Sequence, residues 1–155
     1  MDMGFFGQMG LGLALGMGAL GSAVGIGTAG KAAAGAWAKE GREGRPLDFK
    51  YVILVGLPLT QTFYGFLLLF VGLRAAAYNP AILATHAGAL FSIGLGCGLG
   101  ELFSAWLQGL IGAAGVRCMS ESEGKGLAFI IIAAGIVETV GLMSFVLLWL
   151  MLPKG

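Results

Sequence analysis

Four long apolar runs separated by three short polar breaks make up nearly the whole chain. They span roughly Gly4 to Trp37, Phe49 to Ala77, Pro80 to Val116 and Leu127 to Leu152. At about 1.5 Å per residue, each run is long enough to cross the roughly 30 Å hydrocarbon core of a bilayer as a helix, with some excess. The breaks carry turn chemistry: Lys39-Glu40-Gly41-Arg42-Glu43-Gly44-Arg45-Pro46, then Tyr78-Asn79-Pro80, then Ser120-Glu121-Ser122-Glu123-Gly124-Lys125. The pattern predicts an all-α membrane protein of four transmembrane helices.

The polar residues that interrupt these runs are few, and each has to be accounted for. From Leu127 to Leu152 the one ionisable side chain is Glu138. A carboxylate at membrane depth costs roughly 2.5 to 3.5 kcal/mol on insertion scales, so its default reading is an ion or proton site. The competing reading is a Glu that merely hydrogen-bonds a neighbouring helix. In the second run, Leu57, Thr60, Gln61 and Tyr64 fall at i, i+3, i+4 and i+7, placing a hydroxyl, an amide and a phenol on one face. Pro58 weakens the local hydrogen-bond ladder there, so a carbonyl such as that of Leu57 is expected to be available to a ligand. The third run contributes Gln108 and, seven residues earlier, Glu101. Glu101 is open to three readings: a second polar site, a pore-lining residue, or a protonated acid bonded to a neighbour such as Ser144. The neutral, structural reading is favoured, since burial raises a carboxyl pKa.

The runs are related in pairs. A shift of 82 positions lays Gly12 on Gly94, Gly16 on Gly98, Gly18 on Gly100, Ser22 on Ser104, Ala23 on Ala105, Gly27 on Gly109 and Gly30 on Gly112. A shift of 77 lays Gln61-Thr62 on Glu138-Thr139. The chain is therefore expected to be two tandem hairpins in parallel orientation, residues 1–77 and 78–155, and not an inverted repeat. The first half would supply ion ligands and the second the carboxylate. Gly12-Leu13-Ala14-Leu15-Gly16-Met17-Gly18 and Gly94-Leu95-Gly96-Cys97-Gly98-Leu99-Gly100 make the first and third helices glycine-rich on nearly every side, whereas the second and fourth are bulky. Helices in lipid associate by close backbone packing. This predicts a closed ring of many subunits, with helices 1 and 3 inside and helices 2 and 4 outside.

Composition agrees and removes other classes. The 155 residues are 57% hydrophobic and 11% charged, with 29 glycines and a mean hydropathy of +0.90. A net charge of +1 gives no reason to expect a nucleic-acid partner or a polybasic anchor. Cys97 and Cys118 lie 21 residues apart on one expected helix, too far for a disulfide. The start carries Asp2 in place of a basic segment, so the first helix is expected to stay in the mature protein. Lys31, Lys39, Arg42, Arg45, Lys50, Arg117 and Lys125 belong to the side bearing loops one-two and three-four, against Arg74 and Lys154 opposite. That asymmetry puts those two loops in the cytoplasm and both termini outside, in what the absence of a targeting sequence makes a prokaryotic plasma membrane. Two soluble-protein motifs are accidents of glycine content. Gly16-Met17-Gly18-Ala19-Leu20-Gly21 has no preceding strand, and Gly25-Ile26-Gly27-Thr28-Ala29-Gly30-Lys31-Ala32 lacks the magnesium-binding hydroxyl, so no nucleotide site is expected.

A proton site needs little beyond Glu138. Oxygens from Glu138, Gln61, Gln108, Thr60 and the Leu57 carbonyl, with Tyr64 placed to hold the carboxylate, suit a hard monovalent cation better. The expected cargo is Na+, with H+ as the alternative. At Leu57-Pro58-x-Thr60-Gln61-x-x-Tyr64-Gly65, Phe103-Ser104-x-x-x-Gln108-Gly109 and Val137-Glu138-Thr139 the chain resembles the four-helix proteolipid subunit (K, or c) of the membrane ring of V-type rotary ATPases. That resemblance covers essentially the whole chain. It implies Glu138 as ion carrier, Leu57, Thr60, Gln61 and Gln108 as sodium ligands, and Tyr64 as the residue holding the locked carboxylate. Glu101 has no counterpart in that pattern. The resemblance further implies a non-catalytic rotor ring, a stator subunit with a basic residue, and central-shaft subunits at cytoplasmic loops 39–48 and 119–125. A soluble head would hydrolyse ATP and drive sodium export. A small non-rotary channel or transporter using the same carboxylate is the rival from another class.

Overall fold

The computed structural model describes residues 3–154, and Asp2 lies outside them. Four helical spans follow one another: Met3–Arg42, Tyr51–Ala77, Pro80–Glu121 and Leu127–Leu150. All four are long and apolar enough to cross a membrane. The first and third outlast their apolar runs, which end at Trp37 and Val116, because charged residues such as Lys39 and Glu40 are good helix formers. What stops them is backbone chemistry. Gly44 takes a left-handed φ of +67° after the first span, and Gly124 and Gly126 take +83° and +92° after the third. The fourth ends at Leu150, short of Leu152, because Pro153 disfavours helical geometry in the residue before it. Between the second and third spans Asn79 turns the chain: its side chain accepts from the Ala81 and Ile82 amides, and Pro80 opens the next helix.

The second span is not uniform. It is α-helical over Tyr51–Gly56, tightens to a 3-10 turn at Leu57–Leu59, returns to α over Thr60–Leu67, widens to a π turn at Leu68–Leu73, and ends α-helical at Arg74–Ala77. Pro58 accounts for the 3-10 turn, since it has no amide hydrogen for the i−4 carbonyl.

The first and third spans pack along their length with their backbones nearly touching. A methyl on Gly98 would sit 2.5 Å from the Leu13 carbonyl oxygen, and one on Gly21 would sit 2.5 Å from Leu102 Cα. Gly10 lies against Gly94, and Gly25 against Gly109. Without a hydrophobic driving force between helices in lipid, such small-residue contacts are what bind them. The same glycine content leaves another side bare: nothing lies within 4 Å of where a side chain would start on Gly12, Gly16 or Gly27. The second span joins this pair where Gly65 meets the Ala14 carbonyl. The fourth span is the peripheral one, the least buried of the four, and the third is the most buried. Its exposed Phe129, Ile132, Ile136, Val140, Met143, Leu147 and Leu150 form one helical stripe.

The loop after the first span is tied down by one buried acid. Glu40 accepts from the Tyr51 hydroxyl and from the Asp48 amide at 3.0 Å, while Trp37 Nε1 donates to the Asp48 carbonyl at 2.9 Å. Lys50 Nζ reaches across to the Gly124 carbonyl at 3.3 Å, linking the two loops on this side.

Candidate functional site

Glu138 sits mid-way along the fourth span, half-buried, at the seam with the second and third spans. Tyr64 donates its hydroxyl to Glu138 Oε1 at 3.2 Å, and Gln108 Nε2 reaches Glu138 Oε2 at 3.4 Å. The Tyr64 ring is held by stacking on Phe145, centroids 5.7 Å apart and planes 13° from parallel, and Phe145 in turn meets Trp149 edge-on. No basic residue balances Glu138: the ion pairs among the described residues, Arg45–Glu43 and Lys50–Asp48, both lie in the first loop. Nor do the described residues hold any cluster of three or more His, Cys, Asp or Glu.

A second polar group adjoins the first. Thr60 Oγ1 lies 3.2 Å from the Leu57 carbonyl oxygen and 3.1 Å from Gln61 Oε1. Gln61 is wholly buried, and its Nε2 donates to Ser104 Oγ at 3.1 Å. Ser104 Oγ donates to the carbonyl of Val137, the residue before Glu138, at 3.0 Å. Gln108 is also wholly buried. Its Nε2 reaches the Ala134 carbonyl at 3.4 Å, and its Oε1 has no hydrogen-bond partner among the described residues. The structure thus brings Tyr64 and Gln108 directly to Glu138. Thr60, Gln61 and the Leu57 carbonyl form a neighbouring group, and Ser104 with Val137 links the two.

Two expectations need correction. Pro58 does not free the Leu57 carbonyl, which accepts from the Thr60 amide and lies within reach of the Thr60 hydroxyl. The carbonyl that loses its i+4 donor at a proline is the fourth residue before it, here Leu54. Nor is Ser144 the neighbour of Glu101: the group facing Glu101 Oε1 is Cys97 Sγ, at 3.9 Å. Glu101 is wholly buried, its Oε2 faces Gly141 and is without a partner among the described residues, and Ser144 instead packs against Gly100. Ser104, which joins the two groups, stands in the motif Phe103-Ser104-x-x-x-Gln108-Gly109, but the sequence assigns it no role. Its signal lies in its place in the repeat, opposite Ser22, and four residues before Gln108 on the same helix face.

The model of the ATP synthase C-subunit family matches this chain twice, over residues 9–71 and 91–151. The chain belongs to that family. Among its relatives are the ATP synthase c-subunits of Wolbachia pipientis subsp. Culex pipiens (strain wPip), Wolbachia sp. subsp. Drosophila simulans (strain wRi) and Wolbachia pipientis wMel. Each is 38% identical over 60 residues, which is 39% of this chain and 72% of the relative. The double match makes this a multi-pass, all-α membrane protein of two tandem repeats. It is the membrane-embedded, non-catalytic rotor-type subunit that translocates a cation, without a nucleotide-binding site of its own. These matches overturn the V-type assignment: family and relatives alike are ATP synthase c-subunits, so the protein is a duplicated proteolipid of the F-type. The V-type likeness rests on the polar residues around Glu138, whereas the family match extends over both repeats.

Proposed function

We propose that Glu138 is the carboxylate that carries the transported ion, and that the ion is Na+, with Leu57, Thr60, Gln61 and Gln108 as its further oxygen ligands and Tyr64 as the lock on the loaded carboxylate. The observation that supports this is a surplus of oxygen lone pairs over hydrogens. The Leu57 carbonyl, which already accepts the Thr60 amide, and Gln61 Oε1 share the single Thr60 hydroxyl proton, so a lone pair stays free there, and the buried Gln108 Oε1 has no donor among the described residues. A buried acceptor without a donor, as Gln108 Oε1 is, is costly, and a hard monovalent cation takes up such free lone pairs together. Sodium also neutralises Glu138 during passage through lipid, where an unpaired charge is expensive. The two halves then divide the work, residues 1–77 supplying ligands and residues 78–155 the carboxylate.

In this reading, copies of the chain close into a ring. The bare glycine side of the first span meets a neighbouring copy, and the apolar stripe of the fourth faces lipid. A stator subunit with a basic residue discharges Glu138 at one half-channel. Loops 39–48 and 119–125 lie in the cytoplasm against the shaft subunits, and both termini lie outside a bacterial plasma membrane. Glu101 stays outside the ion path as a neutral acid. Gln61 stands where the second repeat has Glu138, so one ion passes per four helices, which gears the machine towards steep gradients.

A proton at Glu138 is the second reading. The kinship with ATP synthase c-subunits weighs towards it, and Tyr64 alone suffices to orient a protonated Glu138. Carbodiimide modification of Glu138 in the assembled ring separates the two. Sodium is expected to slow the reaction at a pH where protons alone do not, and the absence of any such protection assigns the ring to protons. Conduction by the purified oligomer without its stator would instead support a non-rotary channel.

A further inference from the structure

We infer that Ser104 is a positioning residue for the ion site, fixing which end of the Gln61 amide faces the ion. This rests on the sodium reading above.

Counting protons fixes the orientation of the Gln61 amide. An amide side chain can present either its oxygen or its nitrogen to a given neighbour, and the two differ fundamentally for a cation: one is a ligand and the other repels it. Ser104 Oγ has two partners, the Val137 carbonyl at 3.0 Å and the end of Gln61 at 3.1 Å. A carbonyl only accepts, so the single hydroxyl hydrogen of Ser104 is committed to Val137. The remaining capacity of Ser104 is to accept, and the Gln61 atom facing it must be the NH2 group. The amide oxygen is thereby turned to the opposite side, beside Thr60 Oγ1 at 3.1 Å and the Leu57 carbonyl that Thr60 also faces.

The hydroxyl is itself held in place. A methyl on Gly141 would come within 2.9 Å of Ser104 Oγ and 3.1 Å of its Cβ, so the third and fourth spans close tightly over this side chain. Both Ser104 and Gln61 are buried, which shields their bonds from competition by water. Val137 is the residue before Glu138, so the same hydroxyl ties the carboxylate-bearing helix to the ligand-bearing one. Outer groups that orient ligands in this way typically cost about 10- to 100-fold in metal affinity when removed.

The test is Na+ protection of Glu138 from carbodiimide in purified, assembled rings, read as the NaCl concentration giving half-protection. Ser104→Ala is expected to raise that concentration about tenfold or more. Gln61→Ala raises it too, and adding Ser104→Ala on that background is expected to change it less than about twofold, since the amide to be oriented is gone. Should Ser104→Ala rings not assemble, Ser104→Gly removes the same hydroxyl within an already glycine-rich helix and carries the same expectation. Half-protection unchanged by loss of the hydroxyl overturns the inference alone. A shift that persists in full on the Gln61→Ala background overturns it as well, assigning Ser104 to helix packing through Val137. No protection of the unsubstituted ring by Na+ overturns the sodium reading, and this inference with it.

Discussion

Gln61 and Glu138 hold matching places in the two repeats, yet their surroundings differ in kind. Gln61 is wholly buried with both ends of its amide engaged, the oxygen beside Thr60 and the nitrogen on Ser104. Glu138 is half-buried at the edge of the unit, held by one hydroxyl and one long amide contact. A side chain that stays permanently inside a bundle needs its donors and acceptors closed within the bundle, which a neutral amide achieves. A side chain that must release and recapture a cation needs a charge, and an edge where that charge can meet another protein. On the function proposed above, duplication lets one copy specialise in each requirement.

Making the two halves alike is the strongest way to break this contrast. Glu138→Gln leaves an amide at both positions, and ATP-driven ion transport is expected to disappear while the ring still assembles. Transport measured in reconstituted complexes checks it, and residual sodium transport would remove Glu138 from its proposed role. The reverse change, Gln61→Glu, places a second acid where nothing basic is near. Ionised there, it is expected to cost the ring about 2 kcal/mol or more in stability at neutral pH, seen as a lower temperature of thermal disassembly. Tyr64→Phe sharpens the contrast by loosening only the Glu138 side. Losing a hydrogen bond to a charged group is expected to weaken sodium binding by about 1.5 kcal/mol, roughly tenfold in half-protection from carbodiimide. The smallest effect belongs to Glu101→Gln. On the proposal that Glu101 is a neutral acid outside the ion path, its isosteric amide is expected to leave the ion-to-ATP ratio unchanged and sodium affinity within about twofold. A changed ratio would return Glu101 to the path.

Most of this arrangement is legible in the sequence, because a bilayer leaves few ways to hide polar atoms. Four apolar runs give four spans, and the spacing of Thr60, Gln61 and Tyr64 gives their common face. The acid isolated at Glu138 announces itself by cost. What stays unreadable are contacts set by helix approach in place of periodicity. Ser104 stands in a sequence motif, but its contacts with Gln61 and Val137 appear only where Gly141 lets the fourth span close on it. The partner of Glu101 is Cys97 one turn earlier, a contact within its own helix, and not Ser144 across the interface. The first and third helices run past their apolar runs because hydrophobicity marks where lipid is, whereas glycine and proline mark where a helix stops. The class of rotor is not legible in the few polar positions around Glu138, because kinship is carried by the spans as a whole, over residues 9–71 and 91–151.

The alternation of winding along the second span has a consequence for its geometry. A 3-10 turn advances about 120° per residue against about 100° for an α-helix, and a π turn advances less. Leu57–Leu59 therefore runs ahead in phase and Leu68–Leu73 falls behind, leaving Thr60–Leu67 as a segment set at its own angle between them. Gln61 and Tyr64 are aimed by these two local windings as much as by the tilt of the whole rod. A membrane-spanning helix can in this way turn its middle towards one neighbour while its two ends keep the orientation that the membrane surfaces require.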